Sequence, residues 1–245
     1  MKTMRGLSKF GSLLDGLAIG QMALGVGLPG SAQAALITSN TLTNPTTIDF
    51  SQFVAAPQSD LAGPVQVGQL VGEDVDVTGS PNTGLFLMAG GWGFLSNGSW
   101  DVGINGFVGA NDARPGSLFF AFNDGPVSGV GGFMNYCPDS GCNPSTGQPA
   151  DLVIFALDNA MQILEAYNIT AVADISTPGA ANAGGFRGIE RATNDIHFFQ
   201  VFGSVPGVAS LSFSRIQNDI PEPASLTLFL VALGGLGFLA RRRVG

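Results

Sequence analysis

Lysine is almost missing from this chain. Lys2 and Lys9 are the only two, and between residues 35 and 220 the basic residues are Arg114, Arg187, Arg191 and Arg215 alone. Sixteen of the eighteen acidic residues fall in that same span, which gives it a net charge near −12. So acidic a surface repels phosphate backbones and anionic head groups, and it excludes nucleic acid as a partner. Histidine occurs once, as His197. It lies in the Phe-rich run Ile196–Phe202, and there is no Gly-x-Ser-x-Gly elbow, so nucleophilic hydrolysis lacks its parts. Two cysteines and one histidine do not make a structural zinc site, which needs about four ligands. No heptads and no internal repeat are present, which excludes coiled coils and solenoids.

What is there reads as strands and turns. Ile48 and Phe50 alternate with Thr47, Asp49 and Ser51, Val75 and Val77 with Asp74 and Asp76, and Trp100, Val102 and Ile104 with Ser99, Asp101 and Gly103. Near the end, Ala209, Leu211 and Phe213 alternate with Ser210, Ser212 and Ser214. A period of two puts one set on a core face and the other in water. Leu118–Phe122 and Leu152–Leu157 are apolar on both faces and predict central strands. Asn97-Gly98 predicts a hairpin between Trp92–Leu95 and Trp100–Ile104, and Asp158-Asn159 a turn into Met161–Tyr167. Met161–Ala173 carries both helix and strand formers and is read as strand, because a turn joins it to a buried run. Long loops are expected at Asn135–Ala150 and Ser176–Gly185. The whole predicts an all-β, antiparallel β-sandwich of jelly-roll-like type over residues 35–220.

The two ends differ from this middle. Lys2, Arg5 and Lys9 precede an apolar, glycine-broken stretch from Leu17 to Leu28, and Ala32-Gln33-Ala34 supplies small residues for a signal peptidase. Residues 1–34 are therefore read as a signal peptide cut before Ala35. An exported chain suits a disulfide between Cys137 and Cys142. At the other end Pro221-Glu222-Pro223 opens an uncharged run, Ala224–Ala240, closed by Arg241-Arg242-Arg243. As a helix the run would reach about 25 Å, just short of a bilayer's hydrocarbon core, so 224–240 is read as a transmembrane helix with its arginines cytoplasmic.

The order Pro-Glu-Pro, short apolar helix and basic cluster over residues 221–245 resembles the PEP-CTERM sorting signal. The resemblance implies export across the inner membrane of a Gram-negative bacterium, retention there by the helix, and processing by an exosortase. Pro221, Glu222, Pro223, Arg241, Arg242 and Arg243 would carry that sorting. It further implies a cell-surface or extracellular protein of polysaccharide-producing bacteria, and so a structural or adhesive role in a biofilm matrix. A buried strand, Asp turn, second strand, glycine-rich loop and Phe-rich strand look like the sandwich domains found in such proteins.

The residues themselves offer less. Trp92 and Tyr136 are the aromatic residues placed to stack on a sugar, since aromatic faces suit C–H-rich glycan surfaces. They support the alternative role, a carbohydrate-binding module. Trp100, on the apolar side of its strand, belongs to the core. Glu73, Glu165 and Glu190 are the only glutamates of the span 35–220. They are the candidates for a glycosidase pair, a third and weaker reading; the leading expectation is a non-enzyme without cofactor. Glu73-Asp74-x-Asp76 and Asn111-Asp112 could offer oxygen ligands to calcium, yet no Asp-x-Asp-x-Asp-Gly loop supports it. Asn97-Gly98-Ser99 and Asn168-Ile169-Thr170 match the glycosylation pattern.

Overall fold

The computed structural model describes residues 34–53, 59–61, 63–79, 85–88, 91–101, 104, 106–110, 115–142 and 148–217. The expected signal peptide up to residue 33, the sorting segment with its helix 224–240, and Asn111-Asp112 lie outside the described residues. In chain order the strands are β1 (Ala35–Ile37), β2 (Thr46–Asp49), β3 (Ser59–Leu61), β4 (Val65–Gln66), β5 (Val75–Gly79), β6 (Leu85–Met88), β7 (Trp92–Gly93) and β8 (Ser99–Trp100). They continue as β9 (Phe107–Ala110), β10 (Pro115–Phe122), β11 (Gly129–Asn135), β12 (Val153–Leu157), β13 (Ile163–Asn168), β14 (Gly185–Glu190), β15 (Phe198–Ser204) and β16 (Gly207–Ser214). Among the described residues helix is confined to short 3₁₀ turns and α1 (Ile169–Val172). Among the described residues no helix is long and apolar enough to cross a membrane.

The protein is all-β and its sheets are antiparallel. One runs in the order β1-β14-β11-β16-β9-β6-β3, with β2 also on β16; a second runs β13-β12-β15-β10-β5-β4; β7 and β8 form a small third. The two large sheets share one core. Val130, Leu211 and Phe213 of the first meet Val77, Leu118, Phe120, Ile154 and Val201 of the second, all buried. Phe122 and Phe213 touch across the sheets with ring centroids 5.1 Å apart, and Phe120 stacks between Phe199 and Phe50. Each such side chain contributes roughly 1.5–3 kcal/mol by leaving water.

The alternating segments sit as their pattern requires: Ile48, Phe50, Val75 and Val77 are buried, while Thr47, Asp49 and Asp74 are exposed. One alternation fails. Opposite β11, Phe133 faces Ser210 but Met134 faces Val208, so Ala209 is the extra residue of a bulge. A bulge turns the residues on either side to opposite faces. Leu211 and Phe213 enter the main core with Val208, whereas Ala209 joins a separate cluster of Trp92, Phe94, Trp100 and Phe107. In that cluster the Trp100 ring meets Phe94 and Phe107 edge-on at 4.9 and 5.2 Å.

Two segments differ from expectation. The hairpin at Asn97-Gly98 forms, but between two-residue strands and through a 3₁₀ turn over Leu95–Asn97. Gly98 has φ of 87°, and a Cβ there would strike the Ala180 carbonyl, so only glycine fits. The strand read over Met161–Ala173 stops at Asn168, whose side chain accepts a hydrogen bond from Ala171 N at 3.1 Å and caps α1. Its entry turn is as expected, with Asp158 Oδ1 accepting from the amides of Ala160 and Gln162.

Candidate functional site

The first sheet builds an open cleft where three strands end together. Because β11 runs antiparallel to both neighbours, its first residue, Gly129, lies opposite Glu190 at the end of β14 and Ser214 at the end of β16. On the far side of β14, Ala35 of β1 pairs with Glu190. The segment from Thr43 to Thr46, Glu73 and the chain just after β16 complete a cleft of about 920 Å³.

Its walls are polar and charged. Arg215 Nη1 donates to Glu73 Oε2 at 2.8 Å, and its guanidinium lies 5.5 Å from the Phe213 ring centroid, a cation–π distance. Arg191 holds two acids: Nη1 donates to Glu165 Oε1 at 2.8 Å, while Nε and Nη2 grip both Asp195 oxygens at 2.7 and 2.9 Å. The bidentate hydrogen bond that Arg191 donates to Asp195 raises the Arg191 pKa against the opposing effect of burial. Burial alone would lift the Asp195 carboxyl, but hydrogen bonds from Arg191 and Thr193 outweigh it and hold it below its usual value. Glu190 is different. Half-buried, it has no ion-pair or hydrogen-bond partner for its carboxylate among the described residues.

At the opposite ends of the same strands the chemistry centres on two enclosed amides. Asn97 and Asn135, both buried, bond to each other at 2.7 Å. Asn97 also donates to the carbonyls of Tyr136 and Ile175 and accepts from Thr177 N. Asn135 donates to the carbonyls of Asn97 and Ala183 and accepts from Tyr136 N. Tyr136 Oη donates to Asp174 Oδ1 at 2.9 Å; burial pushes its pKa up to about 12, with Thr170 lowering it and Asp174 raising it further. Cys137 and Cys142 are joined in a disulfide, Cα atoms 6.1 Å apart, and Asp139 between them accepts from Ser96 N and Oγ.

These facts redistribute the residues singled out in the sequence. Trp92 and Tyr136, expected to stand free for a sugar, are buried at 9 % and 2 % exposure. Trp92 packs edge-on against Phe107 at 5.3 Å and Tyr136 belongs to the main core, so neither offers a stacking face. Trp100 is in the core as expected, its Nε1 donating to the Ala183 carbonyl. Of the acidic stretch, Glu73 is taken by Arg215, while Asp74 and Asp76 both accept from Asn123 Nδ2. No group of three or more metal-ligating side chains converges among the described residues. Asn97 is enclosed and Asn168 donates to Asp151, so both glycosylation-pattern asparagines serve the fold. Of the three glutamates, Glu73 and Glu190 line the cleft, whereas Glu165 reaches it only through Arg191. Arg191 and Arg215, which organise the site, carry no signal in the sequence. Arg215 and Glu73 are 142 positions apart.

The sorting segment identifies the protein's route. Residues 219–243 match the family described as the PEP-CTERM protein-sorting motif. The chain carries a PEP-CTERM sorting signal. The motif implies that this PEP-CTERM protein is exported, anchored in the membrane, processed by an exosortase and brought to the surface. No curated protein matches the chain. Among solved structures it is similar to the lectin domain of lectinolysin complexed with Lewis B antigen: 10% identity, covering 76% of this chain and 93% of that one, TM-score 0.32. It is also similar to a His 62 mutant of the lectin-binding domain of lectinolysin complexed with Lewis b: 11% identity, covering 44% and 70%, TM-score 0.28. At such scores the likeness carries no argument about ligand or fold.

Proposed function

We propose that the processed PEP-CTERM protein is a structural or adhesive component of the bacterial surface or biofilm matrix, and that it adheres to extracellular polysaccharide through the cleft. The observation that carries this reading is the cleft's lining. Thr43, Asn44, Ser128, Asn194 and Ser214 stand beside Glu190 and two arginines. Sugar hydroxyls both donate and accept, so a wall mixing amides, hydroxyls, carboxylates and guanidinium groups suits them. In this reading a signal peptidase cuts before Ala35 in a Gram-negative inner membrane. The helix 224–240 then holds the jelly-roll-like domain until the exosortase acts. We propose no hydrolysis, because Glu73, one of the two glutamates in the cleft, is held by Arg215.

The same lining favours a second reading, a carbohydrate-binding module with one defined glycan. A glycan array probed with the exported, processed protein separates them. Adhesion predicts graded binding to several polysaccharides, whereas a single dominant oligosaccharide supports the module. Silence across the array overturns both.

A further inference from the structure

We propose that removal of the signal peptide supplies a cation the cleft lacks: the α-ammonium freed at Ala35 pairs with the Glu190 carboxylate. Glu73 has Arg215, and Glu165 and Asp195 share Arg191, but Glu190 has no cation although it is half-buried in the same cleft. Ala35 and Glu190 are direct partners across the ladder and both line the cleft. Opposite residues in an antiparallel pair have Cα atoms about 4.5–5.5 Å apart and side chains on the same face, which is within a glutamate's reach.

Before cleavage, the nitrogen of Ala35 is a neutral amide, and the carbonyl preceding it, that of Ala34, accepts from Tyr167 Oη at 3.4 Å. Hydrolysis breaks the Ala34 C–N bond. The hydroxyl of water goes to the Ala34 carbonyl carbon and a proton to the Ala35 nitrogen, which takes a second proton from solvent to become an ammonium. The cleavage site also coincides with the first residue of β1, so the new charge is born on an ordered strand rather than on a tail. The groups around it are Glu190 of β14, Arg191 just after it, Arg215 and Ser214 at the end of β16, and Glu73. Glu190 is the acid among these without a partner. Pairing would leave the cleft less negative after maturation, which favours approach of acidic polysaccharides. The proposal rests on the cleavage reading above and not on the identity of any ligand.

The composition makes the test selective. Lys2 and Lys9 are the only lysines and both lie upstream, so the α-amine is the one primary amine of the mature protein. The exported, processed protein is purified, its N-terminus is located by mass spectrometry, and its acylation rate is measured at neutral pH. An amine held as ammonium reacts slowly, and a pKa shift of half a unit changes the free-amine fraction about threefold. Glu190→Gln should speed acylation about threefold or more over the parent, Glu190→Asp should fall between, and Glu73→Gln should match the parent. An N-terminus other than Ala35 overturns the proposal through its cleavage premise. Equal rates in parent and Glu190→Gln, or equal acceleration by Glu73→Gln, overturn the ion pair itself. A folded-state melting curve for each variant keeps an unfolded sample from counting as an acceleration.

Discussion

The two ends of β11, β14 and β16 are separated by about 20 Å of strand, yet they are built on opposite principles. At the Asn135 end, the buried amides have mutual partners, Tyr136 is locked to Asp174, and a disulfide closes the adjoining loop. At the Glu190 end, the arginines and their acids stay partly in water and one carboxylate is left without a partner. A network satisfied internally stabilises one conformation and has nothing left to offer a ligand. Half-solvated charges contribute little to folding and keep their bonding capacity for something else. Under the proposed function, the contrast gives stability to one end and recognition to the other.

The largest effect should come from breaking the enclosed end. Asn135→Ala removes five hydrogen bonds to Asn97, Tyr136, Thr177 and Ala183 and strands polar groups in the interior. Leaving buried groups unpaired costs about 1–3 kcal/mol apiece, so a loss of about 3 kcal/mol or more is expected in denaturant unfolding. A loss under about 1 kcal/mol, the size typical of surface changes, would erase the distinction between the ends.

A smaller effect separates the ends by pH. Tyr136 has its pKa raised from 10 to about 12 in the fold, so its contribution is full below pH 10 and is lost as pH rises from there through about 12. Asp195 has its pKa lowered from 3.8, so its contribution is present above that value and is lost as pH falls through the lower folded one. Hydrogen exchange should therefore loosen first around Tyr136 in alkali and first around Arg191 and Asp195 in acid. The reverse order would contradict the assignment of these groups to their partners.

Much of the scaffold was legible because it rests on local patterns. Ile48, Val75, Val77 and Phe120 declare their burial through alternation or an apolar run, and the Asp158 turn through its residue type. Ala209 could not be read, since a bulge is set by the register of β16 against Met134 rather than by its own neighbours. Trp92 and Tyr136 were misplaced for a similar reason. Glycine-rich or loop surroundings suggest exposure, while Phe107 packs on Trp92 and the main core encloses Tyr136. The cleft escaped entirely. It gathers Ala35, Glu73, Glu190 and Arg215 from four separate segments, and only the pairing of β1, β11, β14 and β16 brings them together. The sorting segment lies at the other extreme, a contiguous motif readable in one pass.

The most direct test of the central claim fills the cleft without touching its ion pairs. Thr43 is exposed and lines the opening, whereas Leu95, 59 % exposed with φ of 50°, sits at the enclosed end. Asparagine tolerates that backbone conformation, so Leu95→Asn is a gentle control. Polysaccharide affinity of the processed protein should fall at least about tenfold in Thr43→Trp, or about 1.4 kcal/mol, and should stay at the parent value in Leu95→Asn. Parent-like binding by Thr43→Trp, or equal weakening in both variants, would contradict the assignment of recognition to the Glu190 end.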